Sequence, residues 1–289
     1  MANTITLKRR IGSVRNTRQI TKAMELVAAS KMRRAQEHAQ RTRDFHNLAR
    51  QILTRLRQLT DVNKHPLYRN HPIKTRLHIL IASDQGLAGA YNANLFKQFN
   101  SELQADQAGG VVSQVIAIGR RGSSYVSRLE NVQLLAAYDH FPEQPAANDI
   151  RPILNTIIEL FLDKKVDAVD VIFTDYKSSI TQIVRSRRLL PAAFQEIELP
   201  KDLDQATFEP SPLAVLDGIT LRLIEAQLNQ AFSEAQASEQ SMRMMAMKSA
   251  TDNANDLIDD LTLAFNTARQ AAITQELAEI TGGAEAIQQ

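Results

Sequence analysis

The chain has 289 residues, of which 44% are hydrophobic and 5% aromatic, with no Trp and no Cys. The missing Cys excludes disulfides, thiolate metal sites and a cysteine nucleophile, and it is compatible with a reducing compartment. A net charge of +2 hides an asymmetry: residues 1–76 carry 18 Lys/Arg against four acids, and residues 200–289 carry five against 14. The basic end therefore asks for an acidic partner, which the acidic end of the same chain or another protein could supply.

From Met1 to His65 there is one Gly, Gly12, and no Pro. The stretch is rich in Ala, Leu, Gln, Arg and Glu, which predicts a long helix over 1–65. Met24, Ala28, Met32, Ala35 and Ala39 form an apolar stripe, continued by Leu48, Ile52, Leu56 and Leu59. The next elements alternate. Strands are predicted at Leu77–Ser83, Val115–Gly119, Leu134–Tyr138, Val169–Tyr176 and Thr181–Leu190, with helices at Asn92–Leu103, Arg121–Leu129 and Ile150–Leu162. This order argues a central α/β domain over 76–190, Rossmann-like, with a mainly parallel sheet. Residues 191–211 read as a linker. Ser211-Pro212 reads as the N-cap and first residue of a second long helix, 212–282, which Gly282-Gly283 stops, leaving 283–289 as a tail. That helix has about 70 residues and runs roughly 105 Å at ~1.5 Å per residue. Its seam is predicted at Met247, Ala250, Ala254, Leu257, Leu261, Ala264, Ala268 and Ala271, a coiled-coil spacing. Two such helices flanking one compact domain pair antiparallel.

The chemical motifs are sparse. The turn SDQGLAGAYN (Ser83 to Asn92) follows the first strand, where a dinucleotide fold places its phosphate loop. Its Gly-x-x-Gly spacing is not that fingerprint, and a tight turn with Asp84 capping the next helix explains it as well. Six scattered His residues lack metal-ligand spacing. The pair Asp259-Asp260 reads as a solvated helix face rather than a general acid and base. No nucleophile motif is present. The clusters Lys8-Arg9-Arg10, Arg33-Arg34 and Arg185/Arg187/Arg188 could meet nucleic acid, but no aromatics interleave with them, and a protein partner with acidic loops explains them equally. No apolar run is long enough to span a membrane. The start MANTITLKRR lacks an apolar signal core.

The stretch RIGSVRNTRQITKAMELVAASKMRRAQ (Arg10 to Gln36) strongly resembles the N-terminal helix of the gamma subunits of F-type ATP synthases. ASEQSMRMMAMKSATDNANDLIDDLTLAFNTARQAAITQELAEITGGAEA (Ala237 to Ala286) resembles that family's C-terminal helix as closely, and the middle carries its weaker pattern SDxGLxGxxNxNLFK. The resemblance implies a non-catalytic rotor shaft, an antiparallel coiled coil standing in a ring of alpha and beta subunits. Its α/β domain would meet the epsilon subunit and the c-ring, and ion flow would turn it to drive ATP synthesis. It implies no catalytic residue, cofactor or metal in this chain and no nucleic acid. By the same resemblance Arg269 and Gln270 hydrogen-bond loops of the ring, with Thr274 and Glu276 beside them. Lys22 and Met24 match the TKAME segment that lies against the same region. Arg9, Arg10, Arg33 and Arg34 suit acidic loops of the beta subunits, and Phe208 and Glu209 fall near the c-ring. This sequence has Gln85, Ala88 and Ala90 where the family commonly has Arg, Cys and Gly, so no special role is carried over to that turn. The redox insertion of chloroplast members is absent, and the start of the sequence is not expected to be a transit peptide, which favours a bacterial protein over a processed mitochondrial form. The expected place is peripheral, on the cytoplasmic side of a bacterial inner membrane.

Overall fold

The computed structural model describes the chain except residues 1–3, 63–64, 144, 193–206 and 288–289; within helices, the side chains of 41–47, 50, 147 and 282–287 are also left aside. The elements in order are α1 (Thr4–Leu59), a 3-10 turn (Pro66–Tyr68), β1 (Thr75–Ile81), α2 (Tyr91–Ala108), β2 (Val112–Ile118), α3 (Arg120–Val126), β3 (Gln133–Tyr138), α4 (Ala147–Leu162), β4 (Ala168–Tyr176), β5 (Gln182–Leu190) and α5 (Pro212–Ile287). They form two compact units, Met1–Ala28 with Met244–Gln289, and Ala29–Arg243.

The larger unit holds a five-stranded sheet in the order β3-β2-β1-β4-β5. Strands β1 to β4 are parallel, and β5 returns antiparallel along β4. The β4 run AVDVIFT is buried on both faces, which is why it shows no alternation. One face packs Leu77, Ile79, Ile116 and Val171 against Ile153 and Ile157 of α4 and Ile224, Leu228 and Phe232 of α5. The other packs Leu80, Val115 and Ile172 against Leu95 and Phe99 of α2. Gly119, which leads from β2 into α3, takes φ +89°, and a Cβ there would sit 2.3 Å from the Ala82 carbonyl oxygen. In the same unit Ala49, Leu53 and Leu56 of α1 pack with Leu216 and Leu223 of α5. Further along, His38 Nδ1 meets Ser233 Oγ at 2.8 Å, so the helices run antiparallel.

A charged network crosses the α2 side of the sheet. Asp106 receives hydrogen bonds from His78 Nε2 at 2.8 Å and Ser113 Oγ at 2.9 Å, and Arg76 Nη1 lies 3.1 Å from its other oxygen. Burial alone would raise its pKa, but the bonds from His78 and Ser113 and the charge of Arg76 overcome this and hold it below the ordinary value. Asp170 is paired with Arg188 and with Arg76. These side chains explain how β1 and β4 carry polar residues inside a sheet core.

In the smaller unit, Thr21 and Thr251 pair their hydroxyls at 2.8 Å, and Arg18 Nη1 donates to Asn255 Oδ1 at 3.2 Å. The pairing of 18 with 255 and 21 with 251 is again antiparallel. On α1 the seam Leu7, Ile11, Val14, Arg18, Thr21, Glu25 and Ala28 steps by three and four. On α5 it is Met247, Thr251, Ala254, Ile258, Leu261, Phe265 and Ala268. The predicted seam shares Met247, Ala254, Leu261 and Ala268, but Ala250, Leu257, Ala264 and Ala271 are replaced. Leu257 is 47% exposed and Ile258 8%. Both sets have heptad spacing; the observed one is selected because the Thr21–Thr251 bond makes a polar residue a seam residue.

Two boundaries differ from expectation. Helix α1 ends at Leu59 rather than 65. His65 is extended, as the residue before a proline must be, and its Nδ1 accepts from Leu67 N at 3.2 Å. Helix α5 does not stop at Gly282-Gly283 but continues to Ile287. Glycine costs a helix about 1 kcal/mol per residue, a cost that flanking Ala and Glu, both good helix formers, can carry. At its start, Ser211 Oγ accepts from Ala214 N at 3.3 Å, as the capping signal predicts. Of the predicted linker, residues 193–206 lie outside the described residues.

Candidate partner-binding surfaces

Helix α1 begins at Thr4, and α5 outlasts the seam that ends at Ala268. From Arg269 to Thr281 every residue of α5 is exposed. Arg269, Gln270, Thr274 and Glu276 all stand on this stretch. Between them runs a stripe that the sequence reading overlooks: Ile273, Leu277 and Ile280, which are 49%, 58% and 68% exposed. At about 100° per residue, Arg269 and Glu276 flank one side of the stripe, and Gln270 and Thr274 the other. An apolar centre with a polar rim is the anatomy of a protein interface. The i, i+4, i+7 spacing of the stripe is its sequence signal, diluted by the Ala, Gln and Glu around it.

Lys22 is exposed and paired with Glu25 at 3.0 Å, while Met24 is half-buried. They do not join the Arg269 group. Thr21 lies level with Thr251, 18 residues before Arg269 and thus roughly 27 Å along the helix. Ile20, Leu26 and Val27 are exposed beside Lys22, a second apolar surface. Arg9 and Arg10 are exposed, nearer the α5 end than Lys22 is.

In the larger unit Arg33 and Arg34 are exposed on α1. Arg34 borders a polar hollow of about 480 Å³ with Lys31, Ala35, Glu143 and Gln236, where Lys31 and Glu143 form an ion pair. Phe208 is half-buried against the cluster around Leu53, Leu56 and Leu216, so packing already accounts for it; Glu209 beside it is exposed.

The Ser83–Asn92 turn is closed by its own neighbours. Asp84 does not cap α2; its Oδ1 accepts from Arg120 N at 2.9 Å and His140 N at 3.0 Å, bracing two other loops. Asn92 Oδ1 accepts from Ser83 N at 3.2 Å and takes over the closing of the turn. The Arg121 guanidinium lies over Gly86, where a Cβ would meet it at 2.9 Å. From the other side Arg243 Nη2 bonds Glu239 Oε1 at 2.7 Å and faces the Gln85 and Gly86 carbonyls at 3.5 and 3.4 Å. Burial pushes the Glu239 carboxyl up, against the pull of Arg243. Among the described residues no cluster of three or more metal-ligating side chains occurs, and no helix is long and apolar enough to cross a membrane.

The elements define a class: two long terminal helices that pair antiparallel within each compact unit, and a central α/β domain with a mainly parallel sheet. A family model described as ATP synthase matches residues 3–287. The chain belongs to that family, as a non-catalytic gamma subunit, the central-stalk rotor of an F-type ATP synthase. Solved structures share the fold. A chain of the Tetrahymena thermophila mitochondrial ATP synthase central stalk and c-ring is 22% identical, with a TM-score of 0.60, covering 80% of this chain and 99% of its own. A chain of the Euglena gracilis mitochondrial rotor in rotational state 1 is 15% identical, with a TM-score of 0.61, covering 93% and 98%. One from the Euglena gracilis OSCP/F1/c-ring assembly in rotational state 3 is 16% identical, with a TM-score of 0.66, covering 98% and 94%.

Proposed function

We propose that the exposed end of α5 turns inside a sleeve formed by the alpha and beta subunits, and that Arg269, Gln270, Thr274 and Glu276 make and release hydrogen bonds to its loops. The observation that carries this reading is the complete exposure of Arg269–Thr281 around an apolar stripe. Single hydrogen bonds and exposed ion pairs are worth about 1 kcal/mol each, strong enough to set an angle and weak enough to be released at every step. Lys22 and Met24, with Ile20 and Val27 beside them, form a second contact level. Arg9, Arg10, Arg33 and Arg34 face acidic loops of the beta subunits. The α/β domain receives the epsilon subunit and the c-ring loops, with Glu209 nearer the ring and Phe208 holding that segment in place. Flow of hydrogen ions, or of sodium, through the c-ring turns the assembly, which sits peripherally on the cytoplasmic side of a bacterial inner membrane. The test replaces Arg269 and Gln270 together by Ala in the assembled complex. Coupled ATP turnover should fall while assembly persists; wild-type coupling would overturn the assignment.

A further inference from the structure

In doubly wound sheets the ligand crevice lies beyond the carboxyl ends of the strands, where the strand order reverses. Here the reversal falls between β1 and β4. The chain fills that crevice itself. Residues 231–241 of α5 are buried, apart from half-buried Gln236, although Ser233, Glu234, Ser238, Glu239, Gln240 and Ser241 are polar. A helix buried all round is ordinarily apolar all round.

Bonds made by Ser238, Ser241 and the neighbouring Arg243 account for much of the exception. Ser238 Oγ donates to the Thr174 carbonyl at 2.9 Å, near the end of β4. Ser241 Oγ donates to the Ser179 carbonyl at 3.0 Å, in the β4–β5 hairpin, and accepts from Gln182 Nε2 at 3.2 Å. Arg243 reaches the Gln85 and Gly86 carbonyls in the turn after β1. The end of β4, the β4–β5 hairpin and the turn after β1, all at the carboxyl end of the sheet, are each tied to α5 by a different side chain. An apolar surface would let the helix slip along or about its axis with little penalty. Directional bonds in a dry site do not, because a small displacement leaves several buried groups unpaired at once.

We propose that Ser238, Ser241 and Arg243 are positioning residues, a polar clamp through which the α/β domain grips α5 and passes turning force into it. The proposal rests on the rotor reading. It gives the sheet's ligand crevice a mechanical use: a socket for the shaft.

The test uses the assembled complex in vesicles, with Ser238→Ala/Ser241→Ala, Arg243→Gln and Arg243→Lys. ATP hydrolysis, ATP-driven ion pumping and thermal dissociation are measured on the same preparations. The clamp predicts near-wild-type hydrolysis and dissociation with fewer ions pumped per ATP, and partial recovery in Arg243→Lys, which keeps a cationic donor at that position. An unchanged ratio overturns it, as does a parallel fall in hydrolysis and pumping. Hydrogen exchange on the isolated chain is independent of assembly. Amides of the 83–91 turn in Arg243→Gln, and of the 174–182 hairpin in the serine variant, should exchange about fivefold faster, as for one lost hydrogen bond; unchanged exchange overturns the clamp. If the wild-type chain fails to assemble, the rotor reading fails, while the exchange result still decides whether the ties exist.

Discussion

Replacing Ile258 and Leu257 separately by Ala tests how the two helices meet in the smaller unit. Ile258 is 8% exposed and Leu257 47%, although they are neighbours of nearly equal size. Ile→Ala removes three carbons, worth about 0.8 kcal/mol each when buried, or about 2.4 kcal/mol together. The better helix propensity of Ala returns a few tenths of a kcal/mol. A net cost of about 2 kcal/mol corresponds to roughly a 30-fold shift in a local opening equilibrium. Leu257→Ala should stay within about 0.5 kcal/mol, as for other surface changes. Hydrogen exchange of α5 amides around 251–265 in the isolated chain reads both, and it does not require the whole molecule to unfold in one step. If Leu257→Ala accelerates exchange as much as Ile258→Ala, the seam through Thr251 and Ile258 is wrong, and the one through Ala250 and Leu257 replaces it.

Asp106→Asn removes a carboxylate that His78, Ser113 and Arg76 converge on; breaking such a buried pair costs about 3 kcal/mol at neutral pH. Because the folded pKa of Asp106 is depressed, its contribution is complete above the unfolded value of about 4 and is lost as pH falls through the lower folded value. Acid titrations of stability should therefore bring variant and wild type together below about pH 4, and a gap that widens there would contradict the network. Gly119→Ala should destabilise the α/β domain by more than the ~1 kcal/mol of an incompatible dihedral, since its Cβ would also meet the Ala82 carbonyl at 2.3 Å; thermal denaturation checks this. Ile273→Ala, Leu277→Ala and Ile280→Ala should each leave the isolated chain's stability within about 0.5 kcal/mol yet weaken assembly with the ring, by more than about 1 kcal/mol for at least one of them, as read by dissociation on dilution.

The long helices are legible because Gly and Pro are absent from them, and Ser211-Pro212 marks a start that the Ser211 hydroxyl then caps. The strands are legible as buried apolar runs, and even the more polar β5 falls within one residue of its predicted start. What is hidden depends on contacts between distant segments. Two heptad registers share every seventh residue, and composition favours Ala250 over Thr251; only the partner hydroxyl of Thr21 reverses the choice. Glycines at 282 and 283 permit a stop without enforcing one. The burial of the Ala231–Arg243 segment is hidden too, because nothing local announces that the end of β4, the β4–β5 hairpin and the turn after β1 bond to it. The small side chains on all its faces, Ala231, Ala235, Ala237 and the serines, were the available signal. Of the candidate residues, the Arg269 group is placed together by helix geometry alone, whereas the distance between it and Lys22 depends on where α1 and α5 pair.

The central claim is rotation. The wild-type chain, assembled with alpha and beta subunits on a fixed support and tagged on its α/β domain, can be watched during ATP hydrolysis. One copy per ring of six, turning in a single direction in three dwells per revolution, is the result this account requires. A complex that hydrolyses ATP at full rate while the tag stays still would contradict it.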